Sequence, residues 1–205
     1  MSARSKSVRQ LRLELAHLAA RLVAVDGIND YLVAKRKAAE RLGLSNRQQL
    51  PSNQEIEQAL TDYQRLFQSD TQPQLLRQMR ELALEAMCMF TSYQPRLVGA
   101  VADGTAGRQS EISLHLYADA IEEIAILLMD HDIPYESCER RVRINAASVI
   151  NYPAYRFMAG GYPIVLVIFP LNARSQSPLS PTHGRAMQRL NPTELQRLLC
   201  ADQAS

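Results

Sequence analysis

An amino-terminal helical region followed by a mixed-sheet α/β domain, α+β overall, is the fold that three observations predict. Apolar side chains recur at helical spacing up to about Phe90, short apolar runs replace them after Tyr93-Gln94-Pro95, and those runs come in the order strand, strand, helix, strand, hairpin. The 205 residues, 46% hydrophobic, are enough to bury a core in one or two domains. The expected division is 1–94 helical, 95–172 sheet domain, and 173–205 a loop-rich tail with a short helix.

In the first helix, Val8, Leu11, Leu15, Leu18, Leu22 and Val25 follow steps of three and four, ending near Gly27. A second helix begins at Asn29 or Asp30, places Leu32, Ala39 and Leu42 on one side, and stops at Gly43. Ser52 and Glu55 have the spacing of a capping box, which opens a third helix bearing Ile56, Leu60, Tyr63 and Phe67. Leu75, Met79, Leu82, Ala86 and Phe90 mark a fourth, ended by Pro95, with Met87-Cys88-Met89-Phe90 read as core. Such stripes suit a bundle within one chain, the preferred reading, or one shared with a second copy as a homodimer.

Beyond Pro95, residues 96–102 read as a strand, 111–117 as a second, and Asp119-Ala120-Ile121-Glu122 as the cap of a helix running to about Asp130. Residues 135–144 form a third strand. Gly160-Gly161 joins 152–158 to 162–169 as a hairpin, because both turn residues of a two-residue loop favour positive φ. The tail from Asn172 to Arg189 contains Pro178 and Pro181, and Asn191-Pro192 opens the last helix.

Composition narrows the function classes. No apolar run approaches the ~20 residues a membrane-spanning helix requires, so no membrane partner is expected. The basic amino terminus leads into an amphipathic repeat rather than a secretory core, and Cys88, Cys138 and Cys200 are odd in number and far apart; together they predict a reducing cytoplasm. The net charge of +2 conceals ten Lys or Arg against four acids in residues 1–50, a local balance of +6. Lys35, Arg36, Lys37 and Arg41 form the densest basic cluster, either a solvated helix face or a grip on nucleic-acid phosphates.

The most informative stretch runs from Gly104 to Leu114. Gly104-Thr105 makes a turn and Ser110-Glu111-Ile112-Ser113-Leu114 enters a strand in which Glu111, Ser113 and His115 share one face. This pattern resembles the signature of the nucleotidyltransferase superfamily, the DNA polymerase beta-like fold, over residues 95–170. There a strand meets a Gly-Ser or Gly-Thr turn and the next carries Ser-Asp-x-Asp. The resemblance implies a nucleotidyltransferase-like mixed sheet, phosphate-facing backbone at Gly104, Thr105, Gly107 and Ser110, and Glu111 and Ser113 in the places of two metal-binding acids. Paired carboxylates hold the two cations of a phosphoryl transfer. With Ser113 neutral and no acid in 162–169, the expectation is a degenerate site: Glu111 holds at most one Mg²⁺ weakly, and a nucleotide, RNA or DNA binds with little or no transfer. The chain is also similar to an uncharacterised bacterial family with a helical amino-terminal half. Two competing readings stay open: an active transferase recruiting Asp103 or Asp119, and a non-catalytic homo-oligomeric interaction module.

Other candidates carry less. Glu111, Ser113 and His115 lie about 6 to 7 Å apart along a strand, too far for a hydrogen-bonded triad. Arg141 and Arg143 share a strand face, with Arg156 on the next strand, and suit phosphate recognition or pairing with Glu136 and Glu139. No Walker loop occurs, and His17, His131 and His183 stand without partners at metal-ligand spacing.

Overall fold

The computed structural model describes residues 7–28, 30–44, 50–145, 148–180 and 184–202. By packing the chain forms two compact units, one running to Pro73 and taking in Gly107–Gln109, the other holding the rest. Asn29, Pro181, His183 and three of the ten amino-terminal cations, Arg4, Lys6 and Arg47, lie outside the described residues.

In the first unit, α1 (Val8–Asp26) starts at a capping box between Ser7 and Gln10 and ends at Gly27 in the left-handed region. Asp30 caps α2 (Tyr31–Arg41) by accepting from the amides of Leu32 and Val33. The buried faces are rotated from the large-residue stripes: α1 buries Ala16, Ala19 and Ala20 with Leu15 and Leu22, and α2 buries Ala34 and Ala38, while Val8, Val25, Leu32 and Leu42 are exposed. Small residues permit close helix approach, so alanines mark much of the contact alongside Leu15 and Leu22. The Ser52–Glu55 capping box opens α3 (Asn53–Phe67) as its spacing predicts, and α3 adds Ile56, Ala59 and Leu60 to this core. Arg12 of α1 clamps the same Glu55 through Nε and Nη2 at 2.8 and 2.7 Å, drawing its carboxyl down to about 2 with help from the Ser52 bonds.

The second unit is a five-stranded mixed sheet in the order β1-β2-β5-β4-β3. Its strands are β1 (Arg96–Val98), β2 (Ile112–Tyr117), β3 (Tyr135–Arg143), β4 (Val149–Ala159) and β5 (Tyr162–Phe169). β2 and β5 are parallel, the other pairs antiparallel. The β4–β5 hairpin closes at Ala159 and Tyr162 around Gly160 and Gly161, both at positive φ as predicted. On one face Ile112, Leu114, Leu116, Ile164, Leu166 and Ile168 pack against α4 (Gln72–Met89), α6 (Glu122–Asp130) and α7 (Pro192–Ala201). Met87 and Phe90 are buried there, whereas Cys88 and Met89 are exposed.

Two local differences from expectation have clear causes. The predicted strand 96–102 stops at Val98, because Gly99 adopts φ 72°, ψ −157°, a region essentially restricted to glycine, and Ala100–Asp103 then form the short helical turn α5. Asp119 does not cap α6, whose first turn has no side-chain cap; its carboxylate accepts the Leu171 amide at 3.4 Å instead.

The tail is part of the sheet unit. The Leu179 amide bonds the Arg143 carbonyl at the end of β3, and Leu190 exchanges two backbone bonds with Leu97 of β1, so the tail is tied to both edge strands. Asn191 then caps α7 through a capping box with Glu194, with Pro192 at the first helical position.

Candidate functional site

The site is built on the sheet face opposite the helices. Strand alternation sends Ile112 and Leu114, both fully buried, into the helix-side core and turns Ser113, His115 and Tyr117 to this face, with half-buried Glu111 continuing the alternation just before the strand. Ser113 lies between Val98 of β1 and Val165 of β5, His115 between Arg96 and Val167, and Tyr117 beside Phe169.

Arg140 of β3 donates from Nη2 to Glu111 Oε2 at 2.7 Å. β3 stands three places from β2 in the sheet. Three steps cross about 14 Å in a flat sheet. Arg140 is also displaced along the strands: it faces Tyr152, whose ring packs 4.2 Å from Phe169 at the far end of β2 from Glu111. The contact therefore requires the sheet to coil with this face concave, as sheet twist allows. Arg140 Nε, on the same guanidinium, is buried with no hydrogen-bond partner among the described residues.

A second guanidinium enters from the tail. Arg189 donates from Nη1 to Tyr117 Oη at 3.0 Å and to the Gln176 carbonyl at 2.9 Å, and from Nη2 to Ser177 Oγ at 2.8 Å. All three acceptors are neutral, so among the described residues its charge has no counter-ion. His115 is 3% exposed, its ring 4.6 Å from Phe169 and its Nδ1 without a partner among the described residues. Burial first, and the charge of Arg189 second, push its pKa down to about 3, so the imidazole is neutral at pH 7. No hydrogen bond among the described residues joins Ser113 to His115, and Glu111 is bonded to Arg140, so the three do not form a nucleophile, base and orienter.

The predicted glycine turn follows α5 rather than a strand. Gly104 caps that turn at φ 84°, and the amides of Gly104, Thr105 and Ala106 all point back to the Ala100 carbonyl. The glycine at the strand end is Gly99, which the sequence reading missed. Gly107 falls in the first compact unit, while Gly104, Thr105 and Ser110 fall in the second. Arg141 and Arg143 alternate with Arg140, opposite Asn151 and Val149, and are exposed on the other side of the ribbon. Arg156 faces Glu136, the closest approach being 3.7 Å.

In the first unit, Arg36 and Lys37 of α2 are exposed, and Arg41 pairs with Asp26 at 3.2 Å. Lys35 is partly buried, and that burial lowers its pKa against the pull of Glu55. Of the isolated histidines, His17 is exposed and His131 lies within bonding distance of the Leu127 carbonyl, at 2.9 Å.

The metal-ligand candidates on this part of the face are one carboxylate already bonded to a guanidinium and the Ser113 hydroxyl, whose neighbour on β5 is the apolar Val165. That set does not fit a pair of divalent cations, and no group of three His, Cys, Asp or Glu converges among the described residues. Fold and site define the class: an α+β protein whose coiled mixed sheet carries, on the face opposite the helices, a buried apolar cluster of Tyr117, Val142, Tyr152, Val165, Val167 and Phe169, with arginines, Glu111, the exposed Arg156–Glu136 pair and a buried neutral imidazole around it. Compared with known proteins, the chain matches no family model, and no curated protein matches it.

Proposed function

We propose that the chain is a nucleotidyltransferase-like protein with a degenerate metal site, binding a nucleotide or nucleic acid with little or no transferase activity. The observation that carries this reading is the sheet register, which sets Ser113 beside Val165 and Val165 beside Arg156, the partner of Glu136, so that no second acid stands next to Glu111 in this row among the described residues. The binding side rests on Arg140 and Arg189 on the same face. Labelled nucleotide incubated with the protein, RNA acceptors and Mg²⁺ should give no detectable incorporation. Robust metal-dependent incorporation, abolished by Glu111→Ala, overturns the reading in favour of a transferase recruiting Asp103 or Asp119.

Exposed Arg36 and Lys37 on α2 support nucleic acid as the ligand class. Each neutralised phosphate releases condensed counterion, so RNA affinity should fall steeply with salt, and Lys37→Glu with Arg41→Glu should weaken binding alike for all sequences and flatten the salt slope. Fluorescence anisotropy at two salt concentrations checks this, and binding indifferent to the double substitution leaves α2 a solvated face. The exposed Val8, Leu13, Val25, Leu32 and Val33 favour a second reading, self-association through α1 and α2. Light scattering should then show mass rising with concentration, and a constant monomer mass excludes it.

A further inference from the structure

We infer that the guanidinium of Arg140 stands at Glu111 where a divalent cation would have to stand, and that this face meets phosphoryl oxygens through arginines without a metal. The inference rests on the nucleotide-binding reading and replaces its weak Mg²⁺ with a resident cation of the protein's own.

Three observations carry it. Arg140 Nη2 and Glu111 Oε2 are 2.7 Å apart, a charge-assisted bond that compensates the carboxylate, and a metal at that oxygen would have to displace the guanidinium. The next position of the face along β2 is a neutral hydroxyl, Ser113, and its neighbour on β5 is apolar Val165, whereas divalent magnesium demands a full octahedron of oxygens. Finally, the face carries positive charge beyond what Glu111 balances. Among the described residues Arg189 is held by neutral acceptors alone and Arg140 Nε is buried and unpartnered on the guanidinium that holds Glu111, while Arg96 sits on the same face opposite His115. A planar guanidinium with spare N–H donors suits phosphate oxygens in the role that bridging cations otherwise play.

Mn²⁺ binding, read by electron paramagnetic resonance on the full chain, tests the first half. The unsubstituted protein should show no saturable Mn²⁺ binding, and Arg140→Met combined with Ser113→Asp, which frees Glu111 and adds a second carboxylate at a half-exposed position, should acquire it. Thermal melting confirms that the variant is folded, and Ser113→Asp alone serves if it is not, remaining silent because Arg140 still occupies Glu111. Saturable binding by the unsubstituted protein that Glu111→Gln abolishes overturns the inference, as does a folded double variant no better than the unsubstituted chain. The second half is read by calorimetry with ATP in EDTA and in Mg²⁺. Equal affinity in both, lowered tenfold or more by Arg140→Met and by Arg189→Gln, is the expected result, and affinity that requires Mg²⁺ overturns it. No ATP binding in either condition sinks nucleotide as the ligand, while the Mn²⁺ result still decides who holds Glu111.

Discussion

Acidification from pH 7 to pH 5 should cost the folded protein about 2 kcal/mol through His115 alone. The folded imidazole has a pKa of about 3, because it is buried and faces Arg189, against an ordinary value of 6.5. The unfolded chain therefore takes up a proton below pH 6.5 that the folded chain refuses. Stability from this group is complete above the unfolded value and is lost as pH falls through the window down to about 3. Glu55, lowered to about 2 by Arg12, acts in the same direction but only below its ordinary value of 4.5, so the interval from pH 7 to pH 5 separates the two. Urea midpoints at both pH values, for the unsubstituted protein and for His115→Leu, measure the difference. The unsubstituted chain should lose about 2 kcal/mol more than the variant across the interval, with equal m-values. Parallel losses would mean that the imidazole is reached by water and titrates as an ordinary one.

What could be read from the sequence was local. The capping box at Ser52, the cap at Asn191, the Gly160-Gly161 hairpin and the alternation of β2 each depend on residues within a few positions, and each is found where it was expected. Two of the misreadings share one cause, the absence of a partner to choose the face. On α2 the large residues Leu32 and Leu42 looked like the core, but the contact is made by Ala34 and Ala38, whose small size gives no amphipathic signal. On β3, Arg140 and its neighbours Arg141 and Arg143 are equally basic, and only the pairing with β4 and the coil of the sheet send Arg140 toward Glu111. Val142, buried two positions on, was the available hint, since residues two apart share a face. Arg189 could not have been found that way: it meets Tyr117 across 72 positions of chain, from a tail whose proline content suggested only loop. The strand ending at Gly99 was legible in principle, as Leu97-Val98 gives way to Gly99-Ala100, but Gly104-Thr105 offered a competing turn five residues later.

Replacing Arg80 by Ala should destabilise the protein by about 2 to 4 kcal/mol, more than any exposed charge in the chain. Arg80 is 6% exposed within the sheet unit's core, between Met79 and Ala83 of α4. Its Nη1 donates to Asp202 Oδ2 at 2.9 Å and its Nε to the Val101 carbonyl at 3.3 Å, which ties α4 to α5 and to the residue that ends α7. Truncation removes a charge-assisted bond, opens a cavity, and leaves Asp202 to rehydrate, which its partial exposure permits and which keeps the cost below that of a wholly buried pair. Asp202→Ala poses the opposite problem, a guanidinium 7% exposed with its counter-ion gone, and should cost at least as much. Arg80→Met, which fills the space without a charge, should be the mildest of the three. Arg77–Glu81 on the same helix is the internal control: it is an exposed pair one turn apart at 2.9 Å, and Arg77→Ala should cost under about 0.5 kcal/mol. Urea denaturation at pH 7 orders the four variants. If Arg80→Ala falls within the range of Arg77→Ala, the buried pair contributes no more than a surface one, and the anchoring of α7 to the sheet unit must rest on Leu195 and Leu199 in the shared core.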